Sequence, residues 1–576
     1  MARVFFVATR GVASLLASRA VCLYAVRRMS QFTRREILAS LLGLPAALAA
    51  CRAPSAPPLP AGEIVGASDE AGHRVRDKIR VEVAPDNWEN APLVIVGGGI
   101  AGLAAAWRLK KAGFHDFTLL ELETVAGGTS RSGSNRVSAF PWGAHYLPVP
   151  FKENRALLAL LDEMGVIEGR DAQGEPVAAE QYLCRDPEER IFYRGRWYEG
   201  LYLHAGERPA DKAQLARFHE EINRWVTWRD ARGRRAFTIP VARCSDDAEA
   251  TQLDKISFAQ WLDERQFTGA RLRWQCDYAC RDDYGLTAEQ TSAWAGLFYF
   301  CSRVLRPGVE SNSLLTWPEG NGRLAAHLFG QVKETVRTGR TVVEIVPQDK
   351  FIELLTLDRE GRDARGFRAQ RVIFAAPHHQ LKYALRDYRD SAPAYLNEFD
   401  FSPWLVANLT LRERPAPRQP RDFPLAWDNV LYDSKSLGYV VATHQRGPER
   451  GPAVFTYYYP FTDPDAREAR RSKLLAPSWA EHADAVLADL ERAHPDLRDL
   501  TERLDLMRWG HAMIRPRPGF IWGQARREAA KPYRHIHFAH SDLSGIPLFE
   551  EAFDQGLRAA EEVLAAFNVK SATLRA

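Results

Sequence analysis

The chain has 576 residues, 46% of them hydrophobic and 26% charged, with 39 glycines and 34 prolines; this composition excludes a disordered chain, a fibrous repeat and a small disulfide scaffold. At that length a single simple core gives way to two domains or one interleaved pair. The first 51 residues hold seven arginines against one acid, and beyond them 70 basic residues face 72 acidic ones with no basic run, so nucleic-acid binding is not expected.

At the start of the chain, Thr33-Arg34-Arg35-Glu36 precedes an apolar stretch, residues 37–50, that falls short of the roughly 20 residues a spanning helix needs. It reads as a signal peptide, with Met29 fitting as the start in place of Met1. The arginine pair before an Ala-rich stretch resembles a twin-arginine export signal, and Leu48-Ala49-Ala50-Cys51 resembles a lipobox. The resemblance implies cleavage before Cys51, acylation of that cysteine and a lipid-anchored protein on the periplasmic side. A buried N-terminal helix with a chance arginine pair is the plainer alternative. Residues 52–87 open on a proline-rich run and read as a solvated tether. Cys184, Cys244, Cys276, Cys280 and Cys301 remain beyond the leader, an odd number for an exported chain. Cys276 and Cys280 share a helix face with no second ligand pair to complete a zinc site, so a buried pair of thiols is expected.

The first chemical motif comes after the tether. Leu93-Val94-Ile95-Val96 suits a buried parallel strand, and Gly97-Gly98-Gly99-Ile100-Ala101-Gly102 stands directly behind it. An Ala- and Leu-rich helix runs to Gly113, and residues 118–122 supply a second strand, completing a βαβ unit. In such a unit Gly97 serves the tight turn, Gly99 the approach of a pyrophosphate and Gly102 the packing of helix on strand. The helix N-terminus favours the phosphate charge, and Glu121 is placed to accept from the adenosine ribose hydroxyls. The fold class read from this pattern is α/β, with a Rossmann-type nucleotide domain.

The residues after Glu121 decide the cofactor by resemblance. Glu121-Leu-Glu-Thr-Val-Ala-Gly127-Gly128 resembles the Glu-x5-Gly-Gly stretch of the flavin-containing amine oxidase superfamily, which also holds protoporphyrinogen oxidases and phytoene desaturases. The resemblance implies non-covalent FAD, with Gly127 and Gly128 crossing close to its pyrophosphate and Thr129, Ser130 and Arg131 as polar contacts. Phe140-Pro-Trp142-Gly143-Ala144-His145-Tyr146 is similar to the loop whose small residues, here Gly143 and Ala144, pass against the isoalloxazine ring. Val342 falls on a strand similar to the one near the adenine. The C-terminal run 536–560 resembles the closing FAD motif, which implies that Asp542 holds the ribityl chain and that the last helix points its N-terminus at the flavin. Two departures stand out: His540 where the family has glycine, and Glu551-Ala552 where it has Gly-Ala. His540 reads as a core histidine, a flavin contact or an obstruction, in that order.

The resemblance places His145, Tyr146 and Trp509 on the substrate side of the flavin, with packing as their alternative role, and they are the candidate catalytic residues. The tyrosines of Phe455-Thr-Tyr457-Tyr458-Tyr459 line a pocket or cover a sheet, and the sheet is favoured. No cysteine stands near Phe520 for a covalent flavin bond, and no lysine matches the one that several amine oxidases keep beside the ring. His378-His379 lacks the spacing of a metal site. The expected architecture is an FAD domain built from residues 88–150, 312–390 and 505–570, interleaved with an α+β substrate domain from residues 151–311 and 391–504. The function expected is hydride transfer to FAD from a C–N or C–C bond of a small molecule. A non-catalytic lipid-anchored flavoprotein and an NAD-dependent dehydrogenase are the alternatives.

Overall fold

The computed structural model describes residues 58–308, 313–447 and 450–575. The leader, with Arg34, Arg35 and Cys51, lies outside the described residues.

The predicted βαβ unit is strand Trp88–Val96, helix Ile100–Lys111 and strand Phe117–Leu120. The two strands pair in parallel, with Val96 opposite Leu120. Leu93, Val94 and Ile95 are wholly buried, as a strand covered on both faces must be. Strand Ala364–Phe374 continues the sheet in parallel beyond Trp88–Val96. On its other side it takes Ile536–Phe538 in parallel and the meander Ile352–Asp358 and Arg340–Pro347 antiparallel. The early, middle and late parts of the chain thus meet in one sheet. The last helix, Phe549–Ala566, lies on Ile100–Lys111, and Gly556 permits the approach: a Cβ there would stand 2.3 Å from the Ala101 carbonyl oxygen.

A second, eight-stranded sheet stands apart from the first. Its centre is Phe401–Leu411, buried along its whole length between Thr501–Ile514 and Ala453–Pro460. Alternation splits the central strands: Leu405, Ala407, Leu409 and Tyr457 face helices Arg467–Leu475 and Trp479–Glu491, whereas Trp404, Val406, Tyr458 and Met507 face the interior of the molecule. A helical layer holding Trp225, Trp261 and Trp294 in one aromatic core completes this half. All five described cysteines are free thiols, and Cys276 and Cys280 are buried in that core.

The fold class expected from sequence holds, with two differences at its borders. Strand Thr501–Ile514 belongs wholly to the second sheet, so residues 505–514 leave the nucleotide part. The tether ends well before residue 87. Ile64–Gly66 joins the second sheet in parallel to Leu506 and Met507, and helix Asp69–Arg76 comes next, burying Ala71 and Val75. The apolar pair Ile64-Val65 suffices for a short edge strand once Thr501–Ile514 offers its free side. Among the described residues no helix is long and apolar enough to cross a membrane, and no cluster of ligating side chains could hold a metal ion.

Candidate active site

A cavity of about 460 Å³ opens along the C-terminal ends of the parallel strands, where loops and helix N-termini converge. Gly97 has φ +104, and its neighbour is the Ala375 carbonyl oxygen, 3.0 Å from where a Cβ would stand. Gly102 is more confined, since its Cβ would fall 1.9 Å from the Gly97 oxygen. Gly99 faces open space: the nearest atom to a Cβ there is Gly128 Cα at 4.0 Å. The Gly127 amide donates to the Gly98 carbonyl at 2.8 Å and so ties the two glycine loops together. Ile100 and Ala101, whose amides begin the helix without intrahelical acceptors, line this space with Gly99, Gly127 and Gly128. It is a cradle for a diphosphate.

Glu121 stands beside it. Its carboxylate accepts from the Gly98 amide at 2.6 Å and from the Glu123 amide at 2.8 Å. Burial raises its carboxyl against the pull of these bonds, and each oxygen keeps a lone pair for a ribose hydroxyl. Val342 lines the same cavity, as do Thr129, Ser130 and Ala144. Gly143 packs on Thr129, whose oxygen lies 2.2 Å from where its Cβ would be, and it belongs to a second, inner cavity.

Besides Gly102, which is spent on packing, and Gly143, two further residues given to the cofactor by motif do not line this cavity. Arg131 is turned aside, its guanidinium 5.1 Å over the Trp509 ring and 3.6 Å from the Glu123 carboxylate. Asp542 is buried, with one oxygen accepting from the His378 amide at 2.9 Å and the other 2.8 Å from His540 Nδ1. Burial pushes the Asp542 carboxyl up, and the His540 ring together with the His378 amide brings it below the usual range. The residues of that turn on the cavity wall are His540 and Ser541. His540 is therefore a wall residue held by Asp542, not a core histidine. His378 and His379 are buried and stack on Phe399 and His511 respectively.

The inner cavity, of about 130 Å³, shares Thr129, Ala144, Trp509, Ala512 and the start of the last helix with the first. His145 stacks on Tyr458 at 4.9 Å and meets Trp427 at 5.4 Å. Burial lowers the His145 pKa to about 4, so the ring is neutral at physiological pH. The loop is held from below: Thr316 donates to the His145 carbonyl and Asn321 to that of Tyr146, each at 2.9 Å. Trp509 donates through its indole nitrogen to the Trp142 carbonyl at 2.6 Å. All three candidate catalytic side chains thus reach the inner cavity. Trp142 itself packs at 90° against Phe140 outside it. Of the three tyrosines, Tyr458 lines the cavity and donates to the Gly143 carbonyl at 2.8 Å, against the sheet-covering role expected. Tyr457 points to the other face, to Asp489.

The far end of the inner cavity corresponds to no sequence motif. Asp282 and Asp283, at the end of helix Ala270–Tyr284, stand there with Arg303 and Glu550. Arg303 is paired with Asp283 at 2.8 Å, and Tyr146 approaches the same carboxylate at 3.4 Å. Burial, then the neighbouring Asp283, pushes the Asp282 carboxyl up to about 7. Burial does the same to Glu550, also to about 7. The only sign in the sequence is the run of three charges at 281–283 near the end of helix Ala270–Tyr284. None of the five described cysteines lines either cavity.

A glycine-cradled dinucleotide site opening onto a pocket with aromatic walls and an acidic end defines a cofactor-dependent oxidoreductase. Residues 100–564 match the family described as flavin containing amine oxidoreductase, and the chain belongs to that family. It is an FAD-dependent oxidoreductase. Among solved structures, a triple mutant of putrescine oxidase is similar with a TM-score of 0.58 at 17% identity, over 83% of this chain and 100% of that one. Cyclohexylamine oxidase from Brevibacterium oxydans gives 0.57 at 14%, over 83% and 100%. A fatty acid isomerase from P. acnes gives 0.58 at 16%, over 84% and 100%. These likenesses establish the fold, which carries more than one chemistry. No curated protein matches the chain.

Proposed function

We propose that the protein oxidises the C–N bond of a small amine, and that it does so outside the cytoplasmic membrane as a lipoprotein anchored through Cys51. The charge balance of the inner cavity carries the substrate class. Three carboxyl groups, Asp282, Asp283 and Glu550, face one guanidinium, and that guanidinium is already committed to Asp283. An ammonium group entering this space supplies the counter-charge that the chain itself does not.

FAD, when bound, supplies the hydride acceptor. The chain orients and dries the substrate between His145, Tyr458 and Trp509. An amine must be neutral when its hydride leaves, and carboxyls whose pKa is about 7 can take that proton near neutral pH. Among the described residues no lysine lines the inner cavity, so the proton falls to Asp282 or Glu550. The names of putrescine oxidase and cyclohexylamine oxidase, proteins of the same fold, accord with an amine.

The test is anaerobic addition of a panel of aliphatic amines, with matched alcohols and unsaturated acids, to the purified yellow protein. Bleaching of the flavin band by amines, then recovery in air, is the expected result. Bleaching only by the other compounds, or by none, defeats the reading. Export is tested by fractionation: replacing Arg34 and Arg35 with lysine should leave the protein inside the cell, and Cys51→Ala should release it from the membrane fraction.

A further inference from the structure

By motif, the cofactor's diphosphate meets the helix N-terminus and Arg131 is one of the cofactor's polar contacts, but Arg131 is stacked on Trp509 and held near Glu123. The cavity nevertheless has a positive wall, built by residues outside any motif. Arg471 comes from helix Arg467–Leu475 and Arg508 from strand Thr501–Ile514, and both line the cavity. The Nε of each is buried without a hydrogen-bond partner. Neither is ion-paired among the described residues; Arg508 spends one amino group on the Leu475 carbonyl at 2.9 Å. Gly510 makes room beside Arg471, since a Cβ there would stand 3.3 Å from its Nε. Other arginines of the same wall are already engaged, Arg467 with Asp400 at 3.1 Å and Arg76 with Asp77 at 2.9 Å.

A half-buried guanidinium without an ion-pair partner forgoes hydration that nothing in the chain replaces. Burial and the neighbouring Arg76 lower the pKa of Arg471 accordingly. Such a wall is at ease only beside an anion, and guanidinium forks match phosphate oxygens. The dianionic group that an FAD site must hold is the diphosphate. We propose that Arg471 and Arg508 are the counter-charge of the FAD diphosphate, replacing the motif arginine and binding the cofactor from the second sheet. Cofactor retention in this chain then depends on the closure of the second sheet over the first. The proposal does not rest on the substrate class proposed above.

The dissociation constant for FAD, read from recovery of flavin fluorescence when the holoprotein is diluted, tests it without any substrate. Arg471→Gln and Arg508→Gln should each weaken FAD by about 10- to 100-fold, the range for loss of a charge-assisted hydrogen bond. Arg368→Gln, which removes an exposed charge paired with Glu353 outside the cavity, should move it by less than about threefold. If the glutamine variants do not fold, Arg471→Lys and Arg508→Lys keep the charge but not the fork, and should weaken FAD by about 3- to 10-fold. FAD affinity within about twofold of the parent protein in whichever set folds overturns the proposal. So does a loss of amine-driven bleaching at unchanged FAD affinity, which would assign the pair to the substrate instead.

Discussion

Gly99, at the cap of the first helix, and Gly102, within its first turn, should fail in different ways when changed to alanine. Gly99 has φ −71 and ψ −177, extended backbone that alanine adopts freely, and its added Cβ would find no atom nearer than 4.0 Å. The cost to the fold is confined to the poorer helix cap, about 1 kcal/mol or less. That same Cβ points into the space a diphosphate must enter to reach the helix amides. Displacing a charge-assisted hydrogen bond there weakens FAD by about 10-fold or more. Gly102→Ala puts a Cβ 1.9 Å from the Gly97 oxygen, so helix and loop must separate by more than an ångström. Overpacking of this kind typically costs about 1–3 kcal/mol, and it displaces the cradle as well. The measurements are thermal unfolding of flavin-free protein and flavin-to-protein absorbance ratio after gel filtration. Gly99→Ala should melt close to the parent but emerge colourless, while Gly102→Ala should melt lower and also lose flavin. A Gly99→Ala protein that keeps its full colour would show that the diphosphate does not pass there, and the assignment of the cradle would fall.

Three further outcomes are expected of the same site. Glu121→Ala removes the acceptor of the Gly98 and Glu123 amides and should lower FAD occupancy; unchanged occupancy would count against the ribose role. Tyr458→Phe deletes the bond to the Gly143 carbonyl, worth about 1 kcal/mol, and should slow bleaching while leaving bound flavin in place, as stopped-flow absorbance would show. Asp282 and Glu550 hold protons up to about pH 7 in the folded protein but only to about pH 4 when unfolded. Their folded values are raised, so the folded state binds more protons and their contribution to stability declines as pH rises from about 4 through 7. Affinity for a cationic amine should rise across the upper part of that window as the carboxyls ionise. Calorimetric binding at several pH values checks the second trend, and an affinity that falls with rising pH refutes it.

The nucleotide half was legible because its signals are local: a buried apolar run, glycines at fixed spacing and an acid at the end of the next strand all lie within residues 93–121. Motif reading places the backbone of Arg131 and Asp542 but cannot see where their side chains are drawn. Trp509 and Glu123 capture one, His378 and His540 the other, and Trp509 and His378 lie more than 150 residues away in the chain. The acidic end of the inner cavity carries no spacing signal at all, since Asp282–Asp283, Arg303 and Glu550 converge from three separate elements. Tyr458 escapes the sequence because alternation along Ala453–Pro460 fixes that neighbours point apart, but not which of them faces the interior. The tether reads too long because proline content marks where a tether begins, whereas its end is set by a distant strand edge at Leu506 and Met507.

That edge bears on the order of assembly. Ile64–Gly66 and the helix Asp69–Arg76 are made near the beginning of synthesis, yet the strand that receives them, Thr501–Ile514, leaves the ribosome more than 400 residues later. Until then the short strand has nothing to add itself to, whereas the helix behind it can settle earlier, since Val75 packs with Val94, Leu120 and Val342 of the nucleotide sheet. The link between Gly66 and Asp69 is thus held at its two ends by different sheets, and the FAD room, to which Ser68, Asp69 and His73 contribute, is walled there by a segment that both must fix. The oldest residues of that wall can be set in two stages, the helix first and the strand last.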